Sequence, residues 1–285
     1  MTESIVRQDF PTPGPVDLKV EFHSGEIDIT AAETSTTTIE LEAVHGDGYA
    51  KELIANARVE QHGDKVSVIM PKSKNGLFGR KGQVRATITV PLDSSLRIDT
   101  SSADVTAHGR FGAANVNSGS GDVELEQIAS GDLKAGSGDV EIDTVAESVK
   151  VKTGSGDVKV GSIRGSGDIA AGSGDVVVQD VTETIKVKTG SGDIAIVDGG
   201  DRVDVMAGSG DLMLKRIDRG EVVAKTGSGD VSIGIVRGTA AYLDIQTVTG
   251  DVTSSLDPSE MPADGDLTVS INVMSGTGDV VLQHA

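Results

Sequence analysis

The tetrapeptide Gly-Ser-Gly-Asp and its close variants recur through residues 101–279. One aspartate taken from each repeat gives successive spacings of 18, 17, 18, 18, 18, 18, 19, 21 and 28 residues. The aspartates so chosen are Asp104, Asp122, Asp139, Asp157, Asp175, Asp193, Asp211, Asp230, Asp251 and Asp279. A period this constant predicts a solenoid, in which each repeat forms one coil and packs on its neighbours.

Each period contains two short runs in which apolar residues alternate with polar ones. One run follows the aspartate, as at Val123 and Leu125, and the other precedes the next motif, as at Val149 and Val151. Alternation with a period of two is typical of a strand with one buried face. At about 3.3 Å per residue, a repeat makes a closed path of roughly 60 Å. The sequence therefore predicts an all-β, single-chain β-solenoid with coils of about 18 residues and two strands each.

The composition agrees with a narrow aliphatic interior. The 285 residues include no Trp, four Phe and two Tyr, so large aromatic rings cannot fill the core. There is no Cys, which excludes disulfide bonds and thiolate sites. With 44 acidic residues against 25 Lys and Arg, the net charge of −19 disfavours nucleic acid and anionic lipid as partners.

The sequence also gives an expectation about the location of the protein in the cell. No stretch reaches the roughly 18 apolar residues of a membrane span, and Met1–Arg7 does not resemble a secretory signal. The expected location is cytoplasmic as written, with surface or envelope association left open.

Both ends of the chain are less regular than its middle. We expect residues 1–100 to form a capping β region, with a short helix near 50–57, a hairpin over 58–70 and a basic loop. Residues 101–255 are expected to form the regular coils, and 256–285 irregular capping coils, all in one continuous domain. Irregular coils and prolines at the ends of a solenoid oppose edge-to-edge aggregation.

The residues that precede the motif alternate between neighbouring repeats. Lys-Thr precedes the motifs of Asp157, Asp193 and Asp230, whereas Ala precedes those of Asp139, Asp175 and Asp211, which gives a superperiod of about 36 residues. Duplication of a two-coil unit and a packing requirement for alternating Thr and Ala both explain this pattern.

The chain resembles a bacterial β-strand-repeat family labelled "putative adhesin", a domain of unknown function. The resemblance lies in Ser101–Val105, the Gly-Ser-Gly-Asp-Val repeats, Val90-Pro91 and the early Ser24–Ile29, and it extends from about residue 10 to the end. It implies a β-solenoid-like fold and supplies no catalytic residues.

The repeated aspartates are the first candidate site. Stacking of the coils would place outward carboxylates roughly 5 Å apart, where like charges repel unless they are compensated. Calcium is one possible compensator, and its ligands would come from Asp122, Asp139, Asp157, Asp175, Asp193, Asp211 and Asp230. The alternative is turn chemistry, in which Asp and Ser accept backbone hydrogen bonds and Gly supplies a positive φ.

A run of cations without acidic residues is the second candidate, as a site for a protein partner or for self-association. It comprises Lys72, Lys74, Phe78, Arg80, Lys81 and Arg85, in which the phenylalanine could anchor an interface. The alternative is a solvated loop.

Catalytic patterns are scarce. The five histidines are scattered, and no nucleophile elbow or phosphate-binding loop is present. No cofactor is predicted, apart from the possible calcium. We therefore expect a non-catalytic interaction or scaffold protein, adhesin-like in character. The alternatives are a calcium-binding repeat protein and, less favoured, a β-helix enzyme acting on acidic polysaccharide.

Overall fold

The structure, a computed structural model, describes residues 5–44, 48–71, 83–256 and 267–285. It confirms the predicted all-β solenoid. The chain forms two compact units, unit 1 up to Ile142 and unit 2 from Asp143 onward. In both, most strands stack in parallel, each on the equivalent strand of a neighbouring coil. The predicted division at residues 100 and 255 stays a prediction.

Unit 1 begins with strands that are less regular than those of unit 2. Its elements are β1 (Ile5–Pro11), β2 (Asp17–Ala32), β3 (Thr36–Ala43), α1 (Gly48–Ala55), β4 (Arg58–His62), β5 (Lys65–Ile69), β6 (Val84–Pro91), β7 (Ser95–Ser118) and β8 (Val123–Ala135). Strand β9 (Val140–Thr153) runs from unit 1 into unit 2.

Strand β2 lies at the centre of the first coils. One of its edges pairs in parallel with β7, and the other pairs in parallel with β5 and β6. Beyond these, the pairing becomes antiparallel, from β6 to β3 to β1 and from β5 to β4. Parallel stacking therefore ends at β5 and β6, which antiparallel strands cover.

Unit 2 contains the most regular coils, in which strands of two kinds alternate along the chain. They are β10 (Val158–Ile163), β11 (Ser166–Ala171), β12 (Val176–Val181), β13 (Thr184–Thr189), β14 (Ile194–Asp198), β15 (Arg202–Ser209), β16 (Leu212–Ile217), β17 (Gly220–Ser228), β18 (Val231–Ile235), β19 (Ala240–Thr249), β20 (Val252–Ser254), β21 (Thr268–Thr277) and β22 (Val280–His284). Each strand pairs with the strand two positions away in the sequence through most of the unit.

The core of unit 2 consists of columns of equivalent aliphatic residues. One column stands directly after the ladder aspartates, and every member is at most 1% exposed: Val158, Val176, Ile194, Leu212, Val231 and Val280. At about 25 cal/mol per Å², burial of such side chains is the main stabilising contribution of each added coil.

The last coils do not stack in the order of the sequence. Strands β21 and β22 pair with β17 and β18 on one edge and with β19 and β20 on the other. The last coil in the sequence, β21–β22, therefore lies between two other coils, and the earlier β19–β20 coil forms the end of the stack.

Candidate functional site

The repeated aspartates form a hydrogen-bonded ladder along the turns. In unit 2, Asp193 Oδ1 accepts the backbone N–H of Asp211 at 2.8 Å, and Asp175 Oδ1 accepts that of Asp193 at 2.8 Å. Unit 1 has the same contact between Asp122 Oδ1 and the N–H of Asp139, at 2.9 Å. Each carboxylate thus accepts a backbone N–H of the next coil and connects the two coils.

The glycine before each ladder aspartate is required by the closeness of the neighbouring coil. A Cβ atom on Gly192 would lie 2.0 Å from the carbonyl oxygen of Gly174. The predicted positive φ is present at Gly229, with 148°, but not at Gly192. At most of these turns, therefore, the lack of a side chain matters more than the freedom of the backbone.

The alternation of Thr and Ala has a hydrogen-bonding explanation. Thr189 is 6% exposed, and its hydroxyl accepts the N–H of Gly192 at 3.0 Å and donates to the carbonyl of Gly174 at 3.3 Å. The stacked neighbours Ala171 and Ala207 have no hydroxyl. One threonine therefore serves two coils, which favours the packing explanation of the superperiod.

One copy of the tetrapeptide lies in a different place. Gly165–Asp168 runs into strand β11 instead of a ladder turn, and Asp168 pairs with Lys150 Nζ at 3.9 Å. Position within the coil, rather than the tetrapeptide itself, decides which aspartates join the ladder.

The calcium alternative remains a prediction. Within the described ranges, no three His, Asp or Glu side chains lie close enough together to hold a metal ion. The ladder residues Asp122, Asp139, Asp157, Asp175, Asp193, Asp211 and Asp230 are stacked one above another instead of converging.

Most of the predicted basic loop lies outside the described residues, namely Lys72, Lys74, Phe78, Arg80 and Lys81. Arg85 lies within β6, and its guanidinium contacts Glu26 at 2.6 Å. The hydrogen bond with Glu26 raises the pKa of Arg85 above its ordinary value. Arg85 is thus engaged within the chain, and the role of the loop stays a prediction.

An open groove of unit 1, with a volume of about 600 Å³, was not anticipated from the sequence. It crosses four stacked segments, at residues 21–23, 99–101, 117–119 and 134–136. Its polar side chains include Glu21, His23, Asp99, Ser101, Asn117 and Lys134. Gly119 and Gly136 also line the groove, and neither position accepts a Cβ atom, which would lie within 2.4 Å of a backbone carbonyl oxygen of the neighbouring coil. We call this the unit 1 groove.

Fixed contacts orient the polar groups of the unit 1 groove. Asn117 donates to Asp99 Oδ1 at 2.9 Å, and Lys19 Nζ lies 2.6 Å from Glu21. His23 Nδ1 lies 3.4 Å from Ser101 Oγ. Phe22 also lines the groove, but it is 1% exposed, so its ring is not available for stacking.

The sequence did contain a signal for part of this groove. Asp99, Asn117 and Lys134 each precede a ladder aspartate by five residues, so the period places them in one column. The contribution of β2 has a weaker signal, because the variant Ser24-Gly25-Glu26 stands in place of the full motif and Glu21 precedes Glu26 by the same five residues.

None of the described helices is long and apolar enough to cross a membrane. The predicted cytoplasmic location stays a prediction.

Comparison with known proteins gives relatives in structure. No curated protein matches the chain. A solved structure named a "putative adhesin" from Parabacteroides merdae is 13% identical and has a TM-score of 0.39, with 97% of this chain and 95% of that chain covered. Another "putative adhesin", from Bacteroides fragilis, is 12% identical with a TM-score of 0.37, covering 99% and 98%. A "putative cell adhesion protein" from Clostridium sporogenes is 10% identical with a TM-score of 0.33, covering 100% of both.

The family assignment rests on a match to a family model. The model of one family, described as Toastrack DUF4097, matches residues 16–198 and again residues 181–282. These matches cover nearly all of the coils and agree with the resemblance seen in the Gly-Ser-Gly-Asp-Val repeats. The chain therefore belongs to the Toastrack DUF4097 family.

Proposed function

We propose that this chain is a non-catalytic, adhesin-like binding module, whose unit 1 groove holds an extended segment of a protein partner. The role agrees with the names of the similar solved structures. The observation that carries the proposal is the groove itself, which crosses four coil segments and presents a polar side chain from each.

The spacing of the coils favours an extended ligand. Stacked strands are about 4.8 Å apart, so four segments span roughly 14 Å along the stack. A polypeptide in an extended conformation covers that distance with four or five residues at about 3.3 Å each. The groove is therefore long enough to hold a short peptide segment.

The chemistry of the groove favours a polypeptide over a sugar. Carboxylates, an amide, a hydroxyl and the Lys134 ammonium can pair with backbone amides and polar side chains. Pyranose rings are usually held by stacking on aromatic faces, and Phe22 is buried beneath the groove. The partner that fits best is thus a polar, extended peptide.

A peptide library displayed on phage tests this proposal, because it samples many sequences and does not require the partner to be identified first. Selection on the whole chain should enrich peptides that no longer bind the double variant Ser101→Arg/Asn117→Arg, in which two long cationic side chains fill the groove. The control is Glu124→Arg, an exposed position on β8 outside the groove. Equal binding to the groove variant, or no enrichment, would contradict the proposal.

A second candidate function rests on two carboxylates in the same groove. Glu21 and Asp99 are register neighbours on adjacent coils, next to His23, which is the kind of pair that glycoside hydrolysis requires. We place it second because Lys19 and Asn117 already contact these carboxylates. Turnover of polygalacturonate or alginate that is lost in both Glu21→Gln and Asp99→Asn would favour the enzyme.

A further inference from the structure

Two rows of opposite charge run along unit 2, on either side of the same turns. The positive row consists of lysines at equivalent positions near the ends of β9, β13 and β17, namely Lys152, Lys188 and Lys225. Each stands five residues before a ladder aspartate, namely Asp157, Asp193 and Asp230. An exposed crest of Gly and Ser separates the rows, as at Gly190 and Ser191. We call the first row the lysine column and the second the aspartate ladder.

The lysine column has no counter-charge of its own. In the part of the chain that the structure describes, Lys152, Lys188 and Lys225 form no ion pair. A row two residues away is different, because Lys150, Asp168, Lys186 and Asp204 alternate in sign across the coils. The lysine column is thus a positive line on a chain with a net charge of −19.

Three neighbouring carboxylates of the aspartate ladder also lack a counter-charge. Oδ1 atoms of Asp193, Asp211 and Asp230 accept backbone N–H groups, and within the described ranges none of the three carboxylates contacts a cation. Neighbouring carboxylates on stacked coils repel one another at about 5 Å. A cation supplied from outside the coil would relieve this repulsion.

The spaces between the lysines are filled by apolar side chains. The register runs Lys152, Ala170, Lys188, Met206, Lys225, Met274. Met206 and Met274 are 37% and 40% exposed, and beside them lies a groove of about 450 Å³ lined mainly by apolar atoms and by Gly208, Gly227 and Gly276. A partner that docks here could therefore bury apolar surface as well as neutralise the charges of the lysine column.

We propose that a second copy of this chain docks on this face, with the lysine column of each copy against the aspartate ladder of the other. A two-fold axis parallel to the stack exchanges the two sides of the crest, so each contact is made twice. Both rows repeat at multiples of the same coil spacing, about 4.8 Å, so Lys188 of one copy stands opposite Asp193 of the other, and Lys225 opposite Asp230. This inference does not depend on the unit 1 groove.

Sedimentation of the whole chain at about 0.02 M and about 0.5 M salt tests the proposal, because the screening length falls severalfold between them. We expect dimers at low salt and monomers at high salt. Lys188→Glu/Lys225→Glu should raise the dimer dissociation constant at least about tenfold, a loss of about 1.4 kcal/mol. Lys159→Glu/Lys215→Glu, which makes the same charge change on the strands after the ladder, should leave it within about twofold.

A second measurement locates the contact. Carbodiimide treatment of a mixture of isotopically light and heavy copies should yield mixed peptides that join Lys188 to Asp193. The variant Asp193→Asn/Asp230→Asn keeps an Oδ1 acceptor for each N–H and should fold but associate weakly. A wild-type chain that is monomeric at low salt, or a dimer unaffected by the Lys188→Glu/Lys225→Glu variant, would overturn the proposal.

Discussion

At the scale of single residues, the turns are shaped by the distance between coils. The third position of the motif accepts no Cβ atom, because the carbonyl of the coil below occupies that space. A threonine hydroxyl then satisfies two polar groups of adjacent turns. Small and hydroxyl-bearing residues therefore recur for reasons that lie in the neighbouring coil.

Replacement of Gly192 by Ala should destabilise the protein by more than about 2 kcal/mol, since the new Cβ overlaps a backbone atom that cannot move alone. The control is Gly14→Ala, where nothing lies within 4 Å and the free energy of unfolding should change little. Urea unfolding followed by circular dichroism measures both. Equal midpoints for the two variants would show that the coils separate easily.

Replacement of Thr189 by Val keeps the shape of the side chain but removes its hydroxyl. Because the N–H of Gly192 then loses its partner at a buried position, we expect a loss of about 1–3 kcal/mol of stability. Thr182→Val, at an exposed site, is the matched control. If both variants unfold at the same urea concentration, the hydroxyl has no structural role.

At the scale of elements, side chains connect one strand or turn to the next. Arg110 on β7 donates two hydrogen bonds to Asp93, at 2.6 and 2.9 Å, and Asp93 has a φ of 63° in the turn before that strand. The hydrogen bond from Arg110 lowers the pKa of Asp93 below its ordinary value. The turn and the strand are therefore coupled through an ionised carboxylate.

Because of this ion pair, the free energy of unfolding should depend on pH. The folded state favours the ionised form of Asp93, so the stabilisation is present above the unfolded pKa of about 3.9 and is lost as the pH falls through the lower folded pKa. Arg110→Gln should lose less stability than the wild type between about pH 5 and pH 2. The effect is modest, because both side chains are more than half exposed. Parallel curves of melting temperature against pH would refute the coupling.

Calcium should have little effect on the ladder if its main role is to accept backbone N–H groups. Thermal melts in millimolar calcium and in excess EDTA should coincide, whereas a ligand at 100 times its dissociation constant adds about 2.7 kcal/mol per site. Asp193→Ala should cost about 1 kcal/mol, and Asp193→Asn, which keeps the acceptor, should cost less. A melting midpoint raised by calcium would instead support the calcium-binding alternative.

The sequence predicted the elements well where residues repeat. Alternation around Val123 and Leu125 predicts strands with one buried face, and the structure buries both residues. The period also predicts which residues share a column. It does not predict hydrogen bonds between coils, such as that from Asp211 to Asp193, because these depend on how closely the backbones approach.

At the scale of the whole molecule, the order of the coils is the feature that the sequence conceals. Spacings of 21 and 28 residues after Asp230 fit either order of the last two coils. Both coils carry Thr-Gly-Asp, at Thr249–Asp251 and Thr277–Asp279, and a single residue of the motif separates them: the last coil keeps the first glycine, Gly276, where the earlier coil has Val248. The register shows that β21 lies between β17 and β19.

Engineered disulfides can verify this order, because the chain has no Cys of its own. Lys225→Cys with Met274→Cys joins register neighbours and should oxidise readily, since adjacent strands place Cα atoms at a distance that a disulfide spans. Lys225→Cys with Gln246→Cys joins strands two coils apart and should stay reduced. The reverse result, read by mass spectrometry of the folded protein, would show sequential stacking.

The placement of β21 inside the stack also constrains the time course of folding. During synthesis, β19 emerges before β21, while the edge of β17 is still open to it. Early pairing of β19 with β17 would reproduce the regular coil pattern and form a trap that must reopen. The native end of the solenoid thus cannot form until residues 268–284 have been made, and its completion is expected to be a late and slow step.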